Sequence, residues 1–239
     1  MRKRIVMMGV LMVMGVGVAF SAPTIMEQIK GHKADVAKKY AELRMDYAKS
    51  EGYNPRPAYF AAYSEINDLF LRKKYAEVLE MVVPLLEKDP YNINCLHAKS
   101  MALQHLEKTE EAEAVGEILF GVIHSVLTSG DGRSSETAMR VITIDEEYAI
   151  VQFLGLRAVA QALVQKDGHF YDVLTVCGRT TPWQEESGEE CSVKDEATKN
   201  EVVLATAIGR KDGGGMETEK TFTLYFNVDP LFVGGLFQP

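Results

Sequence analysis

The sequence predicts an α+β protein, in which tetratricopeptide-like helical hairpins are followed by a small, mainly antiparallel sheet with one helix. Apolar residues recur at helical spacing before residue 129 and alternate at strand spacing from Met139 through Ile144. Between the two patterns lies the Gly- and Ser-rich segment SGDGRSSETA, residues 129–138, which we call the seam. The predicted organisation is a signal peptide over 1–21, a helical region over 22–128 and an α+β region over 129–239.

The first 21 residues have the pattern of a cleaved signal peptide. Residues 1–4, MRKR, are basic, residues 5–20 are apolar, and small residues occupy positions −3 and −1 of a cleavage site after Ser21. An uncleaved membrane anchor is the alternative, but the apolar run is shorter than the roughly 20 residues that a span needs. We therefore expect a periplasmic or secreted protein with no membrane span after signal cleavage.

The charge of the chain argues against two classes of partner. The 239-residue chain has a net charge of −8, with 46% hydrophobic and 25% charged residues, as is typical of a soluble globular protein. Cleavage after Ser21 would leave 23 Lys and Arg against 34 Asp and Glu, a net charge of −11. Such acidity disfavours nucleic acid and anionic membrane surfaces as partners. The simplest interpretation of the acidity is that it keeps the protein soluble, and the predicted hairpins leave a protein or peptide partner open.

The helical region predicts hairpins with a weak internal repeat. Amphipathic patterns indicate helices over 24–50, 58–71, 75–88, 94–106 and 109–127. A shift of 34 residues places Leu69 on Leu103, Val78 on Ala112 and Leu85 on Leu119. Thirty-four is the tetratricopeptide period, and a generic helical bundle is the alternative. Pro84, inside the third of these helices, is expected to kink it.

The α+β region predicts one helix among short strands. β-branched and alternating residues indicate strands over 137–144, 157–165, 171–179, 202–209 and 221–228. Asp145 is the expected N-cap of a helix that ends at Gly155. Lys166-Asp167-Gly168 is expected to form a tight turn. Residues 180–200 are acidic and polar and read as a solvated insertion.

With these elements placed, the chain resembles the bacterial DUF4919 family of unknown function. The segments that carry the resemblance are SGDGRS at 129–134, ETA at 136–138, VI at 141–142, EEY at 146–148, YDVL at 171–174, YFNV at 225–228 and GYNP at 52–55. Two features depart from the family pattern: Asn227 stands where Asp is expected, and the excursion over 178–200 is unusually long. The resemblance implies an exported bacterial protein with helical repeats and a small α+β region. It brings no established activity and no catalytic residues.

The three cysteines suggest one disulfide. Cys177 and Cys191 lie 14 positions apart at the two ends of the polar excursion, and an oxidising compartment would allow them to pair. Such a bridge would stabilise the fold by about 3 kcal/mol on the chain-entropy account. The alternative is two free thiols, and Cys95 reads as a buried small hydrophobe. The sequence has no Cys-x-x-Cys or neighbouring His pair, so no metal site is predicted.

The Gly-Asp-Gly of the seam is expected to be a structural turn. Glycines supply positive φ, Asp131 can bond its own backbone, and Thr137 can tie the turn to the following strand. The alternative is an enzyme with a polar site at the seam, built from Asp131, Arg133, Glu136 and Asp172. The adjacent pair Glu146 and Glu147 points to different sides of a helix, so we interpret it as helix-end charge rather than as paired catalytic carboxylates.

Four aromatic residues suggest a binding groove. Tyr53, Tyr59, Phe60 and Tyr63 cluster where helical-hairpin proteins bind extended peptides. Packing between the first helix and the hairpins is the alternative interpretation. No catalytic, cofactor-binding or metal-binding residues are predicted. The leading hypothesis is thus a non-enzymatic binding or scaffold protein of the cell envelope, and the alternative is an uncharacterised enzyme with its site at the seam.

Overall fold

The computed structural model describes residues 34–55, 59–178, 203–206 and 221–233. The described helices are α1 (Ala34–Tyr47), α2 (Tyr59–Leu71), α3 (Tyr75–Lys88), α4 (Ile93–His105), α5 (Thr109–Leu127), α6 (Ile144–Phe153) and α7 (Asp229–Val233). The described strands are β1 (Met139–Arg140), β2 (Leu156–Lys166), β3 (His169–Gly178), β4 (Val203–Thr206) and β5 (Phe222–Asn227). The predicted signal peptide, the insertion over 180–200 and Cys191 lie outside the described residues. The α+β class is confirmed.

Two helical hairpins repeat at an offset of 34 residues. Helices α2 and α4 begin and end 34 positions apart, and α3 and α5 also begin 34 positions apart. At the equivalent turns, Lys73 and Glu107 have φ of 58° and 60°. The lysine that follows each of them donates its amide to the carbonyl of Leu69 at 2.8 Å or of Leu103 at 2.9 Å. In each hairpin, a residue in the left-handed conformation thus ends the first helix in the same way. The weak sequence repeat is therefore a repeat of backbone geometry.

The equivalent positions of the repeat also share burial. Leu69 and Leu103 are buried, as are Val78 and Ala112. These residues fill the space between the helices of each hairpin and between neighbouring hairpins. Helix α3 runs through Pro84 to Lys88, so the proline does not end it.

The sheet is mixed, with strand order β1-β5-β3-β2-β4. Only the pair β1 and β5 is parallel among the described strands, and the other pairs are antiparallel. The connection between β2 and β3 is a two-residue loop, Asp167-Gly168, with φ of 52° and 82°. Positive φ at both positions is what a type I′ hairpin needs, and Asp-Gly supplies it.

Two local predictions for the segment after the seam are wrong. The strand expected over 137–144 shortens to Met139–Arg140, because α6 begins already at Ile144. The N-cap of α6 is Thr143 and not Asp145: Thr143 is extended, and its hydroxyl accepts from the amide of Glu146 at 3.3 Å. Asp145 therefore lies inside the first turn, and its carboxylate is released for a contact elsewhere.

A single apolar core crosses the boundary between the two halves. It joins residues of α4 and α5, such as Leu103 and Ile123, to Ile150 of α6 and to Leu174 and Phe226 of the sheet. Helix α6 packs against both α4 and β2. The seam therefore connects two parts of one packed body.

The seam needs glycine at two positions. Gly132 has φ of +69°, and its amide donates to the carbonyl of Thr137 at 2.8 Å while its carbonyl accepts from Tyr225 at 2.8 Å. Gly130 is needed for space, because a Cβ there would lie 2.3 Å from the carbonyl oxygen of Thr137. The turn is thus fixed between β1 and β5 by backbone contacts on both sides.

We predict that Gly130→Ala lowers the free energy of unfolding by about 1–3 kcal/mol, because the added methyl overlaps backbone that cannot move independently. Chemical denaturation measures the change. Gly52→Ala is the matched control, since nothing lies within 4 Å of a Cβ at that position. Equal stability of the two variants would contradict this account of the seam.

Candidate functional site

The seam residues that were proposed as an enzyme site hold the turn together. The carboxylate of Asp131 accepts from the hydroxyl of Thr137 at 2.5 Å and from the amide of Arg133 at 3.0 Å. These bonds, with that to Thr137 foremost, lower the pKa of Asp131. Glu136 pairs with Lys166 at 2.7 Å on the surface. Asp172 is buried in β3, and none of the contacts described for the seam residues includes it.

The three tyrosines of the predicted groove differ in exposure. The hydroxyl of Tyr53 donates to the carbonyl of Ile142, which ties the loop after α1 to the segment before α6. Tyr59 is buried, and its ring meets that of Tyr63 edge-on with centroids 5.9 Å apart. Tyr63 is exposed. Tyr53 and Tyr59 are thus engaged within the protein, Tyr63 is the exposed member of the set, and the groove stays a prediction.

Of the two cysteine predictions, the structure bears on the burial of Cys95 and leaves the disulfide open. Cys177 is fully buried in β3, and Cys191 lies outside the described residues, so the disulfide stays a prediction. Cys95 is also buried, and burial is the main cause that raises the pKa of its thiol. It packs as a small hydrophobe within the hairpin core.

A layer of buried acids lies between the hairpins and the sheet. Asp145, Glu146 and Glu147 form the first turn of α6, and all three are buried. Their place at the helix N-terminus agrees with the sequence interpretation, but their burial means that each needs a partner inside the protein. Each of the three carboxyls has a different one.

Glu146 is the partner of the buried Arg44. The Nε of Arg44 donates to Oε1 of Glu146 at 2.8 Å, and Nη2 donates to Oε2 at 2.5 Å. Nη1 of Arg44 donates to the hydroxyl of Ser125 at 2.9 Å, and Oε2 of Glu146 also accepts the amide of Ile142 at 2.8 Å. This two-pronged ion pair joins α1, α5 and α6.

Asp145 is held by an asparagine that caps the neighbouring hairpin. Asn92 precedes α4, and its Oδ1 accepts the amide of Cys95 at 3.0 Å. Its Nδ2 donates to Asp145 at 3.0 Å and to Asp89 at 3.2 Å. Burial, as the largest cause, raises the pKa of Asp89 and of Asp145 to about 6 in each case. Both acids are therefore poised to change charge in mildly acidic solution.

Glu147 faces the sheet and is coupled to Asp172. Burial raises the pKa of Glu147 well above its ordinary value, and the adjacent carboxylate of Asp172 adds to the effect. Burial also raises the pKa of Asp172, while the nearby carboxyl of Glu147 and the hydrogen bond from Gln161 oppose that rise. Burial therefore works against ionisation of both carboxyls, and the pair holds protons more tightly than two isolated acids do.

A hydrogen-bonded chain leads from this pair to a cleft. The amide nitrogen of Gln161 donates to Asp172, and the hydroxyl of Tyr148 donates to the carbonyl oxygen of Gln161 at 2.6 Å. Tyr148 and Gln161 line a cleft of about 210 Å³ between α6 and the start of β2. The pairing of β2 with β3 is irregular at Val159, between Ala158 and Ala160. Such bulges are common beside functional sites.

Two features are absent from the part of the chain that the structure describes. Among residues 34–55, 59–178, 203–206 and 221–233, no group of three or more His, Cys, Asp or Glu is placed to hold a metal ion. Within the same residues, no helix has the length and apolar character needed to cross a bilayer.

These features define an α+β protein in which two 34-residue helical hairpins are joined to a mixed sheet by buried charges. The chain belongs to the family described as "Domain of unknown function (DUF4919)", which matches residues 21–181. The resemblance seen in the sequence is confirmed, and the seam and all the buried acids described above lie within the match. Comparisons with curated proteins and with solved structures gave no match.

Sequence reasoning missed Arg44, Asn92, Gln161 and the burial of the three acids. The sequence offered one local signal, the three consecutive acids at the start of α6. Acids are common at helix N-termini because they complement the helix dipole, so this signal alone does not indicate burial. The partners lie 53 and 102 positions away from their acids. No periodicity within one helix reports contacts of that range.

We predict that Arg44→Met and Glu146→Leu each lower the free energy of unfolding by about 3–5 kcal/mol, because each leaves a buried charge without its partner. The double variant is expected to lose clearly less than the sum of the two single losses. Urea denaturation of the four proteins measures the coupling. Additive losses would show that the pair contributes through packing alone.

We predict a pH-dependent effect of Asp145→Asn. Since the pKa of Asp145 is raised from 3.8 to about 6 in the folded protein, its contribution to stability is complete below about pH 4 and is lost as the pH rises through 6. The free energy of unfolding of the variant, relative to that of the parent protein, should therefore rise by roughly 2 kcal/mol between pH 3.5 and pH 7. Denaturation curves across this range measure the gain.

Asp131→Asn is the control for this measurement. The pKa of Asp131 is lowered and its side chain is exposed, so the variant should show a shift of opposite sign. A stability difference between Asp145→Asn and the parent that does not change with pH would contradict the assignment.

Proposed function

We propose that the protein is an exported, non-enzymatic binding protein of the cell envelope, which uses its helical hairpins to hold a protein or peptide partner. The pattern of a signal peptide over residues 1–21 supports export. The family match covers the same architecture but carries no function. The proposal therefore rests on the surface of the hairpins.

The observation that carries the proposal is where large apolar side chains are exposed. Five large apolar side chains are exposed among the described residues, and four of them belong to the hairpins: Tyr63 at 41%, Leu71 at 64%, Val83 at 37% and Leu106 at 37%. The fifth is Phe222 of β5, at 48%. Apolar exposure that concentrates on one part of a protein supports an interaction surface there.

Two of these residues lie at the turns of the two hairpins. Leu71 ends α2, and Leu106 caps α4. At the neighbouring helix ends, the ring of Tyr75 stacks on that of His105, with centroids 4.2 Å apart and planes 8° apart. We call Leu71, Tyr75, His105 and Leu106 the turn-end patch. It combines two exposed leucines with two stacked rings, a composition that suits a protein interface.

The charge of the hairpins indicates what the partner presents. Residues 59–127 contain six Lys and Arg and eleven Asp and Glu, a net charge of −5. A partner segment with apolar side chains next to basic ones would complement both the patch and its surroundings. The acidic character of the whole chain, −8, acts in the same direction.

The enzyme alternative receives less support. Asp131 is engaged in the hydrogen bonds of the turn, Glu136 is paired with Lys166, and Asp172 is buried elsewhere. These residues do not converge on a shared reacting position, which an acid–base or nucleophilic mechanism requires.

We predict that Leu71→Ser combined with Leu106→Ser weakens partner binding at least tenfold. The test expresses the full chain with a C-terminal tag, confirms by mass that the envelope form begins at Ala22, and identifies crosslinked partners from the envelope fraction. The affinity of the purified partner is then measured for the parent and the double variant. Phe222→Ser is the matched control, because it removes an exposed apolar side chain from the sheet.

Three outcomes would overturn the proposal. The parent protein retains no partner above background, both variants bind the partner as well as the parent does, or the protein is found in the cytoplasm with its residues 1–21 intact. Circular dichroism of each variant shows whether the fold is unchanged.

A further inference from the structure

The cleft between α6 and the start of β2 is a second place at which a ligand can bind, separate from the turn-end patch. Its volume is about 210 Å³, and an engineered apolar cavity of ~150 Å³ is already large enough to hold benzene. Its walls are largely apolar, with Val151 on α6 and Leu156, Ala158 and Ala160 on β2. A ligand in it would therefore be compact and carry an apolar body.

The hydrogen-bonded chain sets the polarity of the inner wall. Asp172 accepts from the amide nitrogen of Gln161, so the carbonyl oxygen of Gln161 is free to accept and takes the proton of the Tyr148 hydroxyl. The phenol oxygen, whose proton is thus used, offers only an acceptor to the cleft. A ligand group that meets Tyr148 must therefore be a hydrogen-bond donor.

The charge behind this wall favours a cationic donor. Asp172 is buried and takes part in none of the ion pairs of the described residues. Both oxygens of Glu147 and one of Asp172 are buried without a hydrogen bond of ordinary geometry. A buried carboxylate without a cation is costly. An ammonium group at Tyr148, one amide away from Asp172, would reduce that cost.

One lining residue of the cleft carries a positive charge. Arg157 lines the cleft, is exposed, and belongs to no ion pair among the described residues. A guanidinium in this position can bind a carboxylate through two parallel hydrogen bonds. The lining of the cleft thus combines a hydrogen-bond acceptor, a cation and apolar side chains.

We propose that this cleft binds a small zwitterion with an apolar side chain, of the class of the hydrophobic α-amino acids. Its ammonium group donates to the oxygen of Tyr148, its carboxylate pairs with Arg157, and its side chain lies against Val151 and Leu156. Nothing in this assignment depends on the hairpins binding a partner, so the two proposals stand or fall separately.

The test uses three probes of one carbon skeleton on the full mature chain. They are L-leucine, 3-methylbutylamine, which lacks the carboxylate, and 4-methylpentanoate, which lacks the ammonium group. Titration is followed by the amide NMR signals of residues 148–161. Leucine is expected to shift these signals in a saturable manner, and each truncated probe should bind at least tenfold more weakly.

Two variants separate the ends of the ligand. Tyr148→Phe should weaken leucine and 3-methylbutylamine at least fivefold and leave 4-methylpentanoate unchanged, whereas Arg157→Gln should weaken leucine and 4-methylpentanoate alone. Lys88→Gln, which removes an exposed cation from α3, is the matched charge control. Absence of saturable shifts with leucine up to about 20 mM, a concentration that would nearly saturate a site with a Kd of ~1 mM, would overturn the proposal. So would equal binding of leucine by all variants.

Discussion

The ion pair between Arg44 and Glu146 is the buried polar interaction that ties the helical half to the part after the seam, within the apolar core that both halves share. Removing two charges from water costs several kcal/mol for each ion. Here the two-pronged contact, the hydroxyl of Ser125 and the amide of Ile142 together satisfy both side chains. Arg44 comes from the first described helix and Glu146 from the helix after the seam. Neither half contains the partner of its own buried charge. A partly folded chain with the halves apart would therefore either bury an unpaired ion or expose the apolar residues around it.

The acid layer around this pair explains why so much negative charge is tolerated inside a small protein. Among the described residues, this layer buries one arginine, Arg44, and five acids: Asp89, Asp145, Glu146, Glu147 and Asp172. Amide side chains of Asn92 and Gln161 donate to three of them, and the positive end of α6 lies at Asp145, Glu146 and Glu147. Burial also raises the pKa values of Asp89, Asp145, Glu147 and Asp172, which favours their protonated forms. The layer is thus stabilised by donors and protons more than by opposite charges, which makes it sensitive to pH.

The sequence predicted those parts of the fold that depend on neighbours in the chain. The change of period located the seam, Asp167-Gly168 indicated its hairpin, and the 34-residue shift anticipated turns whose Lys73 and Glu107 share one conformation. The misplaced N-cap shows the limit. Thr143 and Asp145 are both good caps, and the choice between them depends on Asn92, a residue of another hairpin that binds Asp145. The burial of Glu146 and the hydrogen-bonded chain from Tyr148 through Gln161 to Asp172 arise from contacts between distant segments. Helix propensity and hydrophobic periodicity do not encode such contacts.

Helix geometry explains how one acidic triplet serves several elements. Consecutive residues on an α-helix point about 100° apart, so the run Asp145, Glu146, Glu147 and Tyr148 covers the whole circumference of the first turn of α6. Asp145 faces the cap of α4, Glu146 faces α1, Glu147 faces β3, and Tyr148 faces β2. A shift of this run by one position would rotate every contact away from its partner at once. Because the Arg44 pair and the Tyr148 relay are set by the same turn, the orientation of α6 that joins the two halves also orients the polar wall of the cleft.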